Sequence, residues 1–201
     1  MQMNFKQSLL TVAIASVAVV GWKAIDHQPV TLQPKSRLWV DGTSSVRSYS
    51  CKAGEINLKA QASAPDVGRA VVAGGKAVVS VVLKVPVEKL DCANGTMNEH
   101  MRKAMKEKEN ADIEFRMESY DLVKSADSVA ITLVGTLTIA GTAKPITMPA
   151  VAHDAGNGVL RVTGGYEFLM SQFGVKPPSL MMGMMKVRDK VNVHFDLLLK
   201  S

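Results

Sequence analysis

An all-β chain of about eight antiparallel strands with one inserted α-helix is the fold the sequence predicts. Three observations lead there. From Arg37 onward, apolar and polar residues alternate in short runs whose β-branched density suits pleated strands better than helices. Turn signals such as Asp41-Gly42, Gly74-Gly75 and Gly141 separate the runs. Only residues 94–109 carry a helical pattern, so the alternating strand–helix units of a parallel α/β fold are missing. The elements fit a sandwich or a closed barrel, and closure would remove exposed edges.

The chain has 201 residues, of which 47% are apolar and 21% charged, enough to bury one substantial core. Its net charge of +6 and pI near 9.3 favour contact with anionic surfaces. Lys and Arg are dispersed, however, and aromatic residues make up only 5%. A nucleic-acid interface needs clustered cations and stacking rings, so nucleic acid is not expected as a partner. The charge is read as solubility plus a transient attraction to a membrane surface.

Residues 1–24 place Lys6 ahead of the apolar run from Leu9 to Val20. That run is short for a membrane span and fits the h-region of a secretory signal peptide. Ser16-Val17-Ala18 offers a small-x-small cleavage site, and an uncleaved N-terminal anchor is the alternative. Residues 25–35, with Pro29 and Pro34, read as a linker. Residues 36–201 then form the exported domain, periplasmic or otherwise outside the cytoplasm. In such an oxidising compartment Cys51 and Cys92 are expected to form a disulfide. Neither has a second His or Cys at metal-ligand spacing, and the pair is not Cys-x-x-Cys.

The strands follow in order. Trp39 to Thr43 carries the Asp41-Gly42 turn signal, and Val46 to Cys51 resumes extended structure. Ile56, Leu58, Ala60 and Ala62 alternate with polar residues, and Ala77, Val79, Val81, Leu83 and Val85 form the next inward row. In residues 94–109, Thr96 and Glu99 have capping-box spacing, and Met97, Met101 and Met105 line one face. Arg102, Lys103, Lys106 and Lys108 cover much of the rest. Such a helix either lids a barrel end or meets the membrane and guards a ligand entrance. Ile113, Phe115 and Met117 make a half-buried strand, and Val129, Ile131 and Leu133 lead into a hairpin. There Leu137 and Ile139 point one way, Gly141 turns the chain, and Ile146 and Met148 resume the apolar face. Residues 159–169 and 190–199 supply the last two strands.

Positive evidence for catalysis is absent. His27, His100, His153 and His194 are at no metal-ligand spacing, and no Ser-His-acid or Cys-His set is local. The segment from Pro177 to Met185 holds Met181, Met182, Met184 and Met185 around Gly183. It reads as packing between strands, as the lining of an apolar entrance, or as a thioether site for Cu(I).

Several segments resemble the YceI family. The Gly-x-Leu-Thr-Ile-x-Gly-Thr-x-Lys-Pro hairpin of residues 135–145 carries most of the likeness. Trp39-Val40-Asp41-Gly42-Thr43-Ser44-Ser45, Asp112-Ile113-Glu114-Phe115, Ser171-Gln172-Phe173-Gly174-Val175 and residues 186–191 add to it. The family's proline before Ile-x-Phe is replaced here by Asn110-Ala111-Asp112. The resemblance spans about residues 36–201 and implies a lipocalin-like antiparallel barrel that binds a polyisoprenoid lipid. It implies a non-enzymatic carrier or store for a quinone or polyprenol, with no resident cofactor and no metal. Combined with strand parity, it places Val81, Leu83, Phe115, Met117, Ile131, Leu133, Leu137, Phe168 and Phe195 around the lipid. Met181, Met182, Met184 and Met185 would lie near an opening. Two rival readings are a Met-rich copper or haem-associated periplasmic module and an envelope interaction protein with a solid core.

Overall fold

The computed structural model describes residues 27–126, 128–180 and 185–201. Its strands are β1 (Gln28–Leu32), β2 (Arg37–Ser44), β3 (Ser48–Ala53), β4 (Asn57–Ala62), β5 (Val78–Pro86) and β6 (Leu90–Asp91). They continue as β7 (Asp112–Lys124), β8 (Val129–Ile139), β9 (Thr142–Asp154), β10 (Leu160–Leu169), β11 (Ser179–Leu180) and β12 (Met185–Lys200). Helices α1 (Val67–Val72) and α2 (Gly95–Ala104) lie between β4 and β5 and between β6 and β7.

The strands form a closed antiparallel barrel of eight staves. β12 pairs with β1 through Thr31↔Lys200 and with β2 from Asp196↔Arg37 to Val187↔Ser44, so β1 and β2 are successive parts of one stave. β4 pairs with β1 and β3 with β2, which makes a second composite stave. β5 and β6 continue against β4 and β3 as a third. β7, β8, β9, β10 and β12 complete the ring. Closure leaves few unpaired ladder groups, and the period-two alternation sends every second side chain inward.

Five expectations change. Asp41-Gly42 makes no turn, because it lies inside β2, where Asp41 pairs with Ser50 and Gly42 with Tyr49. Residues 25–35 are not only a linker, because β1 pairs on both sides and helps close the ring. Pro29 is compatible with this because it stands where β1 pairs with β4 alone. A second helix, α1, fills a connection that carried no helical pattern. Asp66 accepts from the Arg69 N–H at its start, and Val67 and Val71 are almost fully buried under it. The methionine helix is shorter than residues 94–109, and its cap is Asn94, accepting from the Met97 N–H, rather than Thr96. Finally, Val79 points outward and is 44% exposed. Ala62 pairs with Val78 and Gln61 with Ser80, so Val79 is the extra residue of a β-bulge that shifts the alternation.

The β8–β9 hairpin forms as expected. Ile139 pairs with Thr142 across Ala140 and Gly141, whose φ angles are 49° and 78°. Two consecutive positive φ values are those of a type I′ turn, whose twist matches the strands. Beyond it, β9 keeps β8 as its partner from Thr142 to Ala152 but meets β10 only from Ala150 to Asp154. Pro145 and Pro149 therefore fall where β9 has one neighbour, which suits residues without an N–H. The resulting gap in the wall is covered by the 3-10 turn Met170–Phe173, with Phe173 and Val175 at 2% and 4% exposure. Phe173 meets Phe168 edge to face with 5.1 Å between centroids.

Candidate functional site

The inward rows do not pack shut. They surround a cavity of about 610 Å³ running through the barrel, within the usual range for small-molecule sites. β7 shows how the alternation builds this wall. Ile113, Phe115 and Met117 face the cavity, the bulge at Glu118 shifts the register by one, and Tyr120 then faces inward. β8 contributes Ile131, Leu133, Leu137 and Ile139 without interruption, and β12 contributes Val191, Val193, Phe195, Leu197 and Leu199.

Of the residues placed inside by sequence, Val81, Leu83, Phe115, Met117, Ile131, Leu133, Leu137, Phe168 and Phe195 all line this cavity. Met181, Met182 and Met184 lie outside the described residues, and Met185 is described only as the first residue of β12. The flanking Pro178 and Val187 both touch the cavity. Sequence reasoning missed several of the lining residues. Leu38, Val40 and Tyr49 come from the composite staves. Val40 pairs with Cys51 and Gly42 with Tyr49, a parity that was legible once Cys51 was known to point inward. His100 was the other omission. It lies on the same α2 face as Met97, Met101 and Ala104, at i, i+3, i+4 and i+7 spacing, and lines the cavity with them.

The two ends differ. One cluster gathers Val30, Ala60, Ala62, Val67, Val71, Ala77, Ala150 and Ala152 around α1, and its small side chains leave room for the helix. Tyr120 belongs to this end, and its hydroxyl accepts from the Val78 N–H at 3.0 Å. Burial raises the Tyr120 pKa above the ordinary tyrosine value, so the hydroxyl stays protonated. The opposite end is covered by α2, which the Cys51–Cys92 disulfide ties to β3. Asn98 accepts from the Cys92 N–H and donates to Asp91, and Arg102 donates to the Glu88 carbonyl. The hydrogen bonds from Asn98 and from the Ala93 N–H hold the Asp91 carboxyl below its usual pKa.

On the outer face, Asp196 accepts from Arg161 at 2.8 and 2.9 Å and from Arg37 at 2.6 Å, locking β10, β12 and β2 together. The Arg161 bonds lead, and the two guanidiniums lower the Asp196 pKa to about 2 against the opposing effect of burial. His194 is also outside, stacked on Trp39 at 5.1 Å with Nε2 3.2 Å from Asp41. Among the described residues no group of three or more His, Cys, Asp or Glu could hold a metal ion. No helix among them is long and apolar enough to cross a membrane.

A YceI-like domain match spans residues 35–199. The chain belongs to the YceI-like family. Solved structures share the fold of this YceI-like domain at low sequence identity. Burkholderia cenocepacia BcnA aligns with a TM-score of 0.66 at 16% identity, covering 85% of this chain and 100% of that one. A polyisoprenoid-binding domain from Saccharophagus degradans, implicated in plant cell wall breakdown, aligns with a TM-score of 0.62 at 10% identity, covering 86% and 97%. The Campylobacter jejuni YceI protein aligns with a TM-score of 0.56 at 16% identity, covering 96% and 97%. No curated protein matches the chain.

Proposed function

We propose that this protein is an exported, non-enzymatic carrier or store for an isoprenoid lipid of the quinone or polyprenol type. The observation that carries the reading is the cavity of about 610 Å³, enclosed by aliphatic, aromatic and methionine side chains along the barrel. An extended hydrocarbon gains about 0.8 kcal/mol for each CH₂ it removes from water, so a long apolar tunnel rewards a long apolar chain. Methionines on the α2 face adapt to a flexible tail better than branched residues do. Membership of the YceI-like family and the likeness to a polyisoprenoid-binding domain support the same ligand class. The disulfide supports an oxidising compartment, taken here as the periplasm. The basic charge would bring the loaded protein to an anionic membrane for transient exchange.

Native mass spectrometry on protein purified gently from its host tests this reading. A copurifying isoprenoid, or retention of added ubiquinone or polyprenol at one per chain, is the expected result. A protein that emerges empty and retains neither lipid overturns it.

A further inference from the structure

Among the described residues, large apolar side chains stand exposed at both ends of the barrel. Val79 and Val123, 44% and 69% exposed, lie at the α1 end, and Val46 and Leu169, 65% and 41% exposed, at the α2 end. The charges around the two pairs differ. Beside the first, Lys76 is held by Asp121 at 2.7 Å and Arg69 by Asp66 at 3.6 Å. Around the second, Arg47, Lys176, Lys186 and Arg188 are exposed and form no ion pair among the described residues. The carboxylates on that side are already engaged. Asp189 accepts from the N–H and the hydroxyl of Ser171, and Glu167 pairs with Lys190 at 2.7 Å. α2 itself adds little net charge, because Glu99, Glu107 and Glu109 accompany its lysines.

Val46 is the tip of a fixed turn. The Ser44 N–H donates to the Arg47 carbonyl at 2.8 Å, and the Ser44 hydroxyl oxygen accepts from the N–H groups of Val46 and Arg47 at 3.2 and 3.1 Å. Turn tips favour Gly, Asn, Asp or Ser, so a valine held outward here is out of place for a surface that meets only water. The turn is also bonded to the start of β12. The Ser45 N–H donates to the Lys186 carbonyl at 2.8 Å, and the Lys186 N–H donates to the Ser45 hydroxyl at 3.1 Å. Arg188 follows in the β12 bulge, and Leu169 ends β10 on the other side of β12, paired with Lys190. Ser44, Arg47, Pro178 and Val187 from these segments line the cavity, so this edge borders it.

We infer that this edge is the surface by which the protein docks on an anionic lipid bilayer. Val46 enters the interface, with Leu169 beside it, while Arg47, Lys176, Lys186 and Arg188 meet the lipid phosphates. The inference rests on the carrier reading and adds to it the face that meets the membrane. Few apolar side chains with several cations give a weak, salt-sensitive attachment, which suits a carrier that must leave again.

The test is co-sedimentation of the protein, as purified from its host, with vesicles of phosphatidylglycerol and phosphatidylethanolamine or of phosphatidylcholine alone. Binding is expected only to the anionic vesicles and should weaken as salt rises. Each cation near an anionic leaflet is worth roughly fivefold, so Arg47→Gln/Lys176→Gln/Lys186→Gln/Arg188→Gln should weaken binding at least about thirtyfold. Lys35→Gln/Lys59→Gln/Lys124→Gln/Lys200→Gln removes the same charge from exposed, unpaired positions elsewhere and should weaken it less than about threefold. Val46→Ser should weaken it severalfold, and Val79→Ser should leave it unchanged. Equal losses in the two quadruple variants, or no loss in either, overturn the docking edge. Binding of polyglutamate that the first quadruple variant loses, without binding to anionic vesicles, assigns the edge to an acidic protein and overturns the bilayer. A protein that retains an isoprenoid in native mass spectrometry but ignores anionic vesicles loses the docking edge and keeps the carrier reading. One that binds vesicles through this edge and retains no isoprenoid loses the carrier reading alone.

Discussion

At one end of the barrel, α1 inserts Val67 and Val71 to 1% exposure each among small alanines, and Ser201 bridges the Val67 N–H and the Pro65 carbonyl. At the other, α2 has no fully buried residue. It is held by a disulfide and a few side-chain bonds, and leaves the buried Nε of Arg102 without a partner among the described residues. A buried donor left unpaired costs about 1–3 kcal/mol. The first helix is a plug that shares the core, and the second is a lid fastened mainly at its leading end. Cavities that must fill and empty need this asymmetry, since a tight plug at both ends would trap the ligand. Low-stability elements are where opening is expected.

Removing the fastening should have the largest effect. Cys51→Ser/Cys92→Ser opens a link between residues separated by 41 positions and should cost about 4 kcal/mol in the chain-entropy model. Urea unfolding measures the loss. Hydrogen exchange should show faster opening in α2 while α1 stays protected, and equal loss at both helices would erase the contrast between plug and lid.

Truncating one side chain at each end comes next. Leu160, 2% exposed beside α1, should cost about 3 kcal/mol when replaced by Ala. Met101→Ala in the lid should cost about 1 kcal/mol or less, because its site borders the cavity and is only partly buried. Its larger effect should be on lipid release, seen as a faster off-rate in stopped-flow transfer to vesicles. A Met101→Ala loss as large as that of Leu160→Ala would mean the lid shares the core after all.

The smallest effect is an acid sensitivity of the wall between the ends. Asp196 titrates at about 2 in the folded protein, below the ordinary aspartate value of about 3.9. Its stabilisation is therefore complete above the unfolded value and is lost as pH falls from about 4 toward 2. With its arginines half exposed and screened, it should amount to about 1–2 kcal/mol. Asp196→Asn should flatten that part of the stability–pH curve and leave its shape near neutrality unchanged. Chemical unfolding across that range would show it.

Strand identity was legible wherever one face is wet and the other dry. Phe115 and Met117 alternate with Glu114, Arg116 and Glu118, and that pattern specifies both a strand and the side that faces in. The nine strand residues assigned inward line the cavity for this reason. Alternation fails at bulges, which add a residue without a compositional mark, so Val79 was placed on the wrong face. α1 was missed because its valines are poor helix formers and its helicity comes from burial. The Pro65-Asp66 start and the Gly74-Gly75 stop were the only signals available. His100 was read as an isolated histidine because two of the polar residues that line the cavity with it, Arg47 and Tyr49, come from the β2–β3 turn and β3, more than 50 residues earlier.

Local chemistry in the sequence determined the strands, the turn at Ala140-Gly141, the two cysteines suited to an oxidising compartment and the methionine face of α2. These depend on residues a few positions apart. Only the tertiary structure decided that β1 closes the ring, that the inward rows stop short of packing together, and that Arg47, Tyr49, Thr96 and His100 line one cavity. Those outcomes depend on barrel closure and side-chain volume summed over the whole ring, which no short stretch of chain encodes.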